Sequence, residues 1–180
     1  RVRPEKGTDL FVEAMLRVLP NYPDVIALVI GKTEARHTPF ESQLRTKIAA
    51  AGLEERILFV GEIDKETLPQ VVSALSLVVA VPRYEGFGLT PLEAMACGTP
   101  VVLSDTGAYA TFLANGKSGL LVPVGDTSQL IAGIDAILRN PTLAAAYAQG
   151  AIETVNEQFK VERELAGVAT VYEELWQRAA

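Results

Sequence analysis

Along the chain, short apolar runs rich in β-branched residues alternate with longer stretches in which apolar residues recur every three or four positions. Val25–Ile30, Ile57–Val60, Leu77–Val81, Val101–Leu103 and Gly119–Val122 make up the first set. They are continuously hydrophobic rather than strictly alternating, which predicts buried strands with helices over both faces. The second set opens with Leu10, Phe11, Ala14, Met15 and Val18, one face of a helix. Leu130, Ile131, Ile134, Ile137 and Leu138 repeat the pattern, behind Asp126 as N-cap and Gln129 as its capping-box partner. Pro141 opens another helix, and Val161–Arg178 reads as a last one. Such alternation predicts βαβ units in a doubly wound, parallel α/β sheet. No repeat, low-complexity segment or Gly/Ser linker divides it, so residues 1–180 are expected to form one domain.

Composition narrows the picture. The chain has 180 residues, 49% of them apolar and 21% charged, enough for a globular core. A net charge of −6 argues against a broad nucleic-acid surface, where phosphate neutralisation supplies the affinity. It leaves room for a small, locally basic phosphate pocket. Cys97 is the single cysteine, which excludes an internal disulfide and fits a reducing compartment. No apolar stretch approaches the ~20 residues of a membrane-spanning helix. The first residue is Arg1 and nothing resembles a signal peptide, so the expectation is a segment of a larger cytoplasmic protein.

In doubly wound sheets, ligands bind outside the carboxyl ends of the strands. That directs attention to Gly31–Phe40, Gly61–Lys65, Pro82–Pro91, Ser104–Gly107 and Pro123–Asp126. The richest is P-R-Y-E-G-F-G-L-T-P-L-E-A-M-A-C-G, from Pro82 to Gly98. Gly86 and Gly88 permit positive φ and close backbone approach. A helix starting near Pro91 would aim its free amides at an anion such as a diphosphate. Glu85 and Glu93 flank this turn, and carboxylates accept hydrogen bonds well from hydroxyls. Phosphate donors between two hydroxyl acceptors suit a ribose–diphosphate–sugar molecule.

The block from Glu85 to Ala96, followed by Gly98-Thr99-Pro100-Val101-Val102, resembles the donor-site motif of the family-4 retaining glycosyltransferases. R-V-R-P-E-K-G, from Arg1 to Gly7, is similar to that family's early motif. Asn115-Gly116-Lys117-Ser118-Gly119-Leu120-Leu121-Val122 resembles a third block. Together the blocks cover essentially the whole chain in family order. The resemblance implies a Rossmann-like donor domain, the C-terminal lobe of a two-domain GT-B enzyme whose N-terminal acceptor domain is absent from this chain. It implies that Arg1 and Lys6 grip the donor diphosphate and that Glu93 holds the ribose hydroxyls. Glu85 and the amides of Gly86, Phe87 and Gly88 would hold the transferred sugar, with Leu89 and Thr90 beside the phosphates. Ile63, between Glu62 and Lys65, would lie against the base. Catalysis would then fall to Arg1 and Lys6, which neutralise the leaving diphosphate, and to Glu85, which positions the sugar. Relatives usually carry a glycine just ahead of the residue matching Arg1, a position this sequence does not include.

Simpler readings stand beside these. Thr90-Pro91-Leu92-Glu93 is also a capping box. Arg1 and Lys6 are also ordinary surface charges. His37 reads as a solvated loop residue, and Cys97 as buried packing without a base partner. Tyr172, Leu175 and Trp176 read as core or interdomain contacts. No G-x-G-x-x-G follows the first strand, which removes a dinucleotide-dependent dehydrogenase.

The expected activity is a retaining, metal-independent hexosyl transfer without a cofactor. R-V-R-P-E-K-G-T-D-L-F-V-E-A-M and P-R-Y-E-G-F-G-L-T-P-L-E-A-M-A look most like mannosyltransferases of the lipopolysaccharide core. That resemblance implies GDP-mannose as donor and a lipopolysaccharide core or similar glycan or lipid-linked acceptor as target. A UDP-glucose or UDP-galactose enzyme, and a non-catalytic nucleotide-sugar-binding module, are the alternatives. Peripheral association of the full-length enzyme with the inner face of the cytoplasmic membrane is compatible with a lipid-linked acceptor.

Overall fold

The computed structural model describes residues 1–113 and 116–179. Its strands are β1 (Ala27–Ile30), β2 (Ile57–Gly61), β3 (Val78–Ala80), β4 (Val101–Ser104) and β5 (Gly119–Val122). Its helices are α1 (Thr8–Val18), α2 (Thr38–Ala50), α3 (Leu68–Ser73), α4 (Leu89–Ala96), α5 (Tyr109–Phe112), α6 (Thr127–Arg139), α7 (Pro141–Gln158) and α8 (Val161–Ala179). Every strand pair is parallel. The architecture is the α/β one expected, with one difference. The strands form two hydrogen-bonded groups, β1–β2 and β3–β4–β5, instead of one continuous sheet.

Two apolar clusters cover the two faces. Val102 belongs to the cluster built with α1, α2 and α6, whereas Val101 and Leu103 belong to the one built with α3, α4 and α5. Neighbouring residues of one strand point to opposite faces, so the layers lie on either side of the sheets. β4, bonded along both edges, is buried at every position, but β3 is only half-buried throughout. The expectation that all five strands are fully buried therefore fails at β3, at Leu28 and Ile30 of β1, at Leu58–Gly61 of β2 and at Leu120 and Leu121 of β5, with Val60 and Leu121 exposed.

Local chemistry explains most boundaries. Asp126 caps α6 by accepting from the Gln129 amide at 2.9 Å. The Gln129 side chain donates to the same carboxylate at 3.0 Å rather than back to the Asp126 amide. Asn140 caps α7 through the Leu143 amide at 3.0 Å, with Pro141 at the first helical position. β1 starts two residues later than the apolar run. The Arg56 guanidinium captures the carbonyls of Leu19, Tyr22 and Val25, which holds Val25 in the preceding turn. α2 begins inside the stretch read as a loop to Phe40, following a 3-10 turn over Ala35–His37.

At the other end, α8 carries its apolar stripe in the open. Leu165, Val168, Tyr172, Leu175 and Trp176 are exposed, Trp176 to 80%. The core reading of Tyr172, Leu175 and Trp176 is thereby excluded. Among the described residues, no helix is long and apolar enough to cross a membrane.

Candidate functional site

The segment after β3 and the segment before α1 meet at the carboxyl edge of the strands. Gly7 makes this meeting possible. Its φ is +70°, and a Cβ there would stand 1.9 Å from the Val81 carbonyl oxygen, so only glycine lets the turn settle on the end of β3. Arg83 fastens the same junction. Its amide donates to the Glu5 carbonyl at 2.9 Å, and its guanidinium forms a bidentate pair with Asp9 at 2.7 and 2.8 Å. Partial burial pushes the Asp9 carboxyl up, but the Arg83 hydrogen bond and charge outweigh this and leave it below the usual range.

Above this clasp, Lys6 Nζ donates to Glu85 Oε2 at 2.6 Å, and the Gly86 amide donates to Glu85 Oε1 at 3.1 Å. The Glu85 side chain is mostly buried, with both oxygens engaged. Tyr109 lies beneath the loop, fully buried. Burial, with the negative Glu85 nearby, pushes its hydroxyl far above the ordinary phenol range, so it stays neutral. Gly88 has φ +88°, and a Cβ there would reach within 2.2 Å of the Tyr109 ring. Gly86 does not use positive φ and has open space around its Cα. Of the two glycines, only Gly88 is demanded by geometry.

α4 begins at Leu89, two residues ahead of the expected start. Gly88 is its N-cap, and no side chain caps it. The capping-box reading of Thr90 and Glu93 is therefore excluded. Thr90 lies in the first turn, and Glu93 one turn further, exposed. The physical reason is Gly88: its left-handed backbone turns the chain into the helix before Thr90 is reached. The free amides are those of the residues from Gly88 to Thr90.

A cavity of about 380 Å³ opens at this edge, and Arg1, Lys6, Glu85, Thr90 and Glu93 line its mouth. These are the groups expected at the diphosphate, sugar and ribose, drawn from the first residues of the sequence and from its middle. Arg1 is turned aside: its guanidinium pairs with Glu34 at 2.9 Å. Gly86, Phe87, Gly88, Leu89 and Ile63 are not part of the cavity wall. Phe87 is half-exposed and packs edge-on to Phe112 at 5.5 Å, buttressing the loop. Leu89 is exposed. Asp64, next to Ile63, is spent on the amides of Glu66 and Thr67. His37 sits in the 3-10 turn before α2, away from the cavity lining. Cys97 is half-buried at the end of α4, and burial and Glu93 push its thiol up, which makes it a poor nucleophile. Among the described residues, no group of three His, Cys, Asp or Glu side chains is placed to hold a metal ion. Asn115, which opens the third motif block, lies outside the described residues.

Two participants escape sequence reasoning. Arg83 stands inside the motif but looks like a surface charge, since its partner Asp9 is 74 positions away. Tyr109 gives no signal beyond being aromatic at the start of the short helix after β4.

Comparisons with known proteins identify the family and the fold. A family model described as glycosyl transferases group 1 matches residues 1–154. The lipopolysaccharide core biosynthesis mannosyltransferase LpsB of Rhizobium meliloti is 46% identical over 97% of this chain and 50% of its own length. LpcC of Rhizobium leguminosarum, another lipopolysaccharide core mannosyltransferase, is 43% identical over 97% of this chain and 49% of its own length. The chain thus spans about half the length of the curated relatives it matches. Among solved structures, the C-terminal domain of a group 1 glycosyl transferase (LpcC) from Francisella tularensis superposes with a TM-score of 0.84 at 34% identity. That match covers 89% of this chain and 83% of that one. Anabaena HepE in complex with UDP superposes with a TM-score of 0.89 at 26% identity, over 97% of this chain and 47% of that one.

Proposed function

Because this chain belongs to the glycosyl transferases of group 1, with the fold of a GT-B C-terminal domain, we propose that it is the donor-binding lobe of a retaining mannosyltransferase. In this reading it uses GDP-mannose, needs no metal, and serves lipopolysaccharide core assembly together with an N-terminal acceptor domain. The carrying observation is the meeting of Lys6 with Glu85 at the cavity mouth, with Thr90 and Glu93 on the facing helix. The mannosyltransferases LpsB and LpcC support the sugar. HepE, solved with UDP and with UDP-glucose, supports nucleotide-sugar binding and favours UDP-glucose as the second reading.

Departure of the diphosphate leaves an oxocarbenium-like sugar and a growing negative charge. Lys6, Arg1 once released from Glu34, and the first amides of α4 are the fixed positive groups that meet that charge. Glu85 holds Lys6 and the Gly86 amide in place and offers its carboxylate edge to sugar hydroxyls. Glu93 is free to accept both hydroxyls of a ribose. Retention then proceeds on the face the diphosphate leaves, with no enzyme nucleophile. The lobe alone binds nucleotide weakly and transfers nothing, because half of the water-excluding cleft is missing.

Lys6→Ala in the full-length enzyme tests this. A charge-assisted hydrogen bond is worth about 1.5–3 kcal/mol, and only the phosphates would feel its loss. GDP affinity in calorimetry is expected to fall by that amount while guanosine affinity stays put. Equal weakening of both would remove Lys6 from the diphosphate site. Full-length enzyme that consumes UDP-glucose and ignores GDP-mannose would replace the donor but keep the reaction class.

A further inference from the structure

Tyr109 is a buried polar residue to which the proposed function gives no task. It opens α5, and Gly107 sets the turn before it flush against the loop that carries Glu85. A Cβ on Gly107 would stand 2.0 Å from the Glu85 carbonyl oxygen. The Tyr109 ring then lies under Gly88, where an added Cβ would come within 2.2 Å of the ring and 2.9 Å of the hydroxyl oxygen. Phe112 closes the ring from another side, with centroids 5.8 Å apart. The side chain is 2% exposed, and it lines the cavity together with Lys6, Glu85, Thr90 and Glu93.

Among the described residues, no group hydrogen-bonds to the Tyr109 hydroxyl. Glu85 is close enough to act on it by charge, but both Glu85 oxygens already accept, from Lys6 and from the Gly86 amide. A tyrosine hydroxyl withdrawn from solvent ordinarily finds a partner. Burial and the Glu85 charge keep this one protonated, so it remains a donor at every physiological pH. With the ring packed between Gly88 and Phe112, the cavity is the side left open to it.

The chemistry of the missing acceptor follows from the two neighbours. The hydroxyl lies under the N-cap of α4, beside the free amides from Gly88 to Thr90, where the helix end favours an anion. It lies equally near Glu85, the group expected at the sugar. An anion held between those two is the phosphate bonded to the sugar, not the one bonded to the nucleoside. We infer that the Tyr109 hydroxyl donates a hydrogen bond to the sugar-bearing phosphate of the donor, as a contact additional to Arg1, Lys6 and the first amides of α4. This contact rests on the nucleotide-sugar reading of the site and holds for either base. Because the phosphate is charged, the bond is of the stronger, charge-assisted kind.

Calorimetry on the full-length enzyme, parent and Tyr109→Phe, tests the contact with GDP against GMP and with UDP against UMP. Phe keeps the ring under Gly88 and removes only the oxygen. The variant is expected to bind the preferred diphosphate about tenfold more weakly, as for a lost hydrogen bond to a charged group. It should bind the matching monophosphate as the parent does, since that ligand lacks the second phosphate. Its melting temperature without nucleotide should hold, because the hydroxyl gives up no protein partner. Unchanged diphosphate affinity, or equal weakening of mono- and diphosphate, would overturn the contact. A melting temperature lowered by several degrees would do the same, by assigning the hydroxyl to the fold. Lys6→Ala in parallel separates the two ways to fail. If it removes the preference for diphosphate and Tyr109→Phe does not, the tyrosine contact falls alone. If the parent binds mono- and diphosphates alike, the nucleotide-sugar reading falls and the contact with it.

Discussion

Val79 and Val102 sit directly opposite each other in the β3–β4 register, and their flanking sequences read alike. Yet Val102 is completely buried, whereas Val79 is half-exposed. β4 has a strand on each side; β3 has one on one side and a cavity on the other. Hydrophobicity therefore reports where a strand belongs, not whether its neighbour is present. The open flank, bridged at its top by Gly7, Arg83 and Lys6, carries the candidate site.

The contrast is sharpest in the matched pair. Val102→Ala removes fully buried methyl groups and leaves a cavity, at an expected cost of about 2–3 kcal/mol in denaturant unfolding. Val79→Ala in the same chain should cost about 1 kcal/mol, since part of its side chain already meets solvent. Equal losses would mean that the flank of β3 is closed in solution.

Next comes the top of the open flank. Gly7→Ala forces a left-handed backbone on a residue with a Cβ, about 1–2 kcal/mol. It also drives that Cβ into the Val81 carbonyl. Stability should fall by about 2 kcal/mol, and nucleotide affinity with it, because Lys6 precedes this turn. Lost stability with unchanged affinity would separate the turn from the site.

Glu93→Gln probes the far lip. With no capping bond at the start of α4, melting temperature should hold. A ribose diol donates two hydroxyls to a carboxylate but only one to the amide oxygen, so nucleotide affinity should fall by about 1–2 kcal/mol. Unchanged affinity would leave Glu93 an ordinary surface carboxylate.

Much of this was legible in the chain itself. The strands came from their apolar runs, and α1, α6, α7 and α8 from helical spacing and caps. The convergence of Lys6, Glu85, Thr90 and Glu93 followed from motif resemblance and the strand-end rule. What stayed hidden depends on partners distant in sequence. Arg83 needs Asp9, Tyr109 needs Gly88, and the division of the strands into two groups leaves no mark on any local pattern. The start of α4 was misread because Thr90 and Pro91 imitate a cap, while the left-handed turn at Gly88 sets the boundary earlier. α8 repeats the lesson: the same spacing that buries Leu130, Ile134 and Ile137 in α6 leaves Leu165, Tyr172 and Trp176 exposed.

The smallest expected effect concerns the bridge itself. Asp9 and Arg83 join α1 to the loop after β3 across the open flank, and the pair is roughly one-third exposed, with side-chain accessibilities of 31% and 41%. Solvent screening keeps such a pair below about 1 kcal/mol. Its sign with pH is nonetheless fixed. The folded-state pKa of Asp9 lies below its unfolded value of about 3.9. The pair's contribution is therefore complete above that unfolded value and is lost as pH falls through it toward the folded one. Asp9→Asn keeps the size and removes the charge, so it should lower the melting temperature by a few degrees at about pH 7. Between about pH 5 and pH 3 the two melting curves should converge, because the parent loses what the variant never had. A gap that stays constant over that range would show that the carboxylate's charge does not hold the flank. The tie would then rest on the Arg83 amide and the Glu5 carbonyl, which do not titrate.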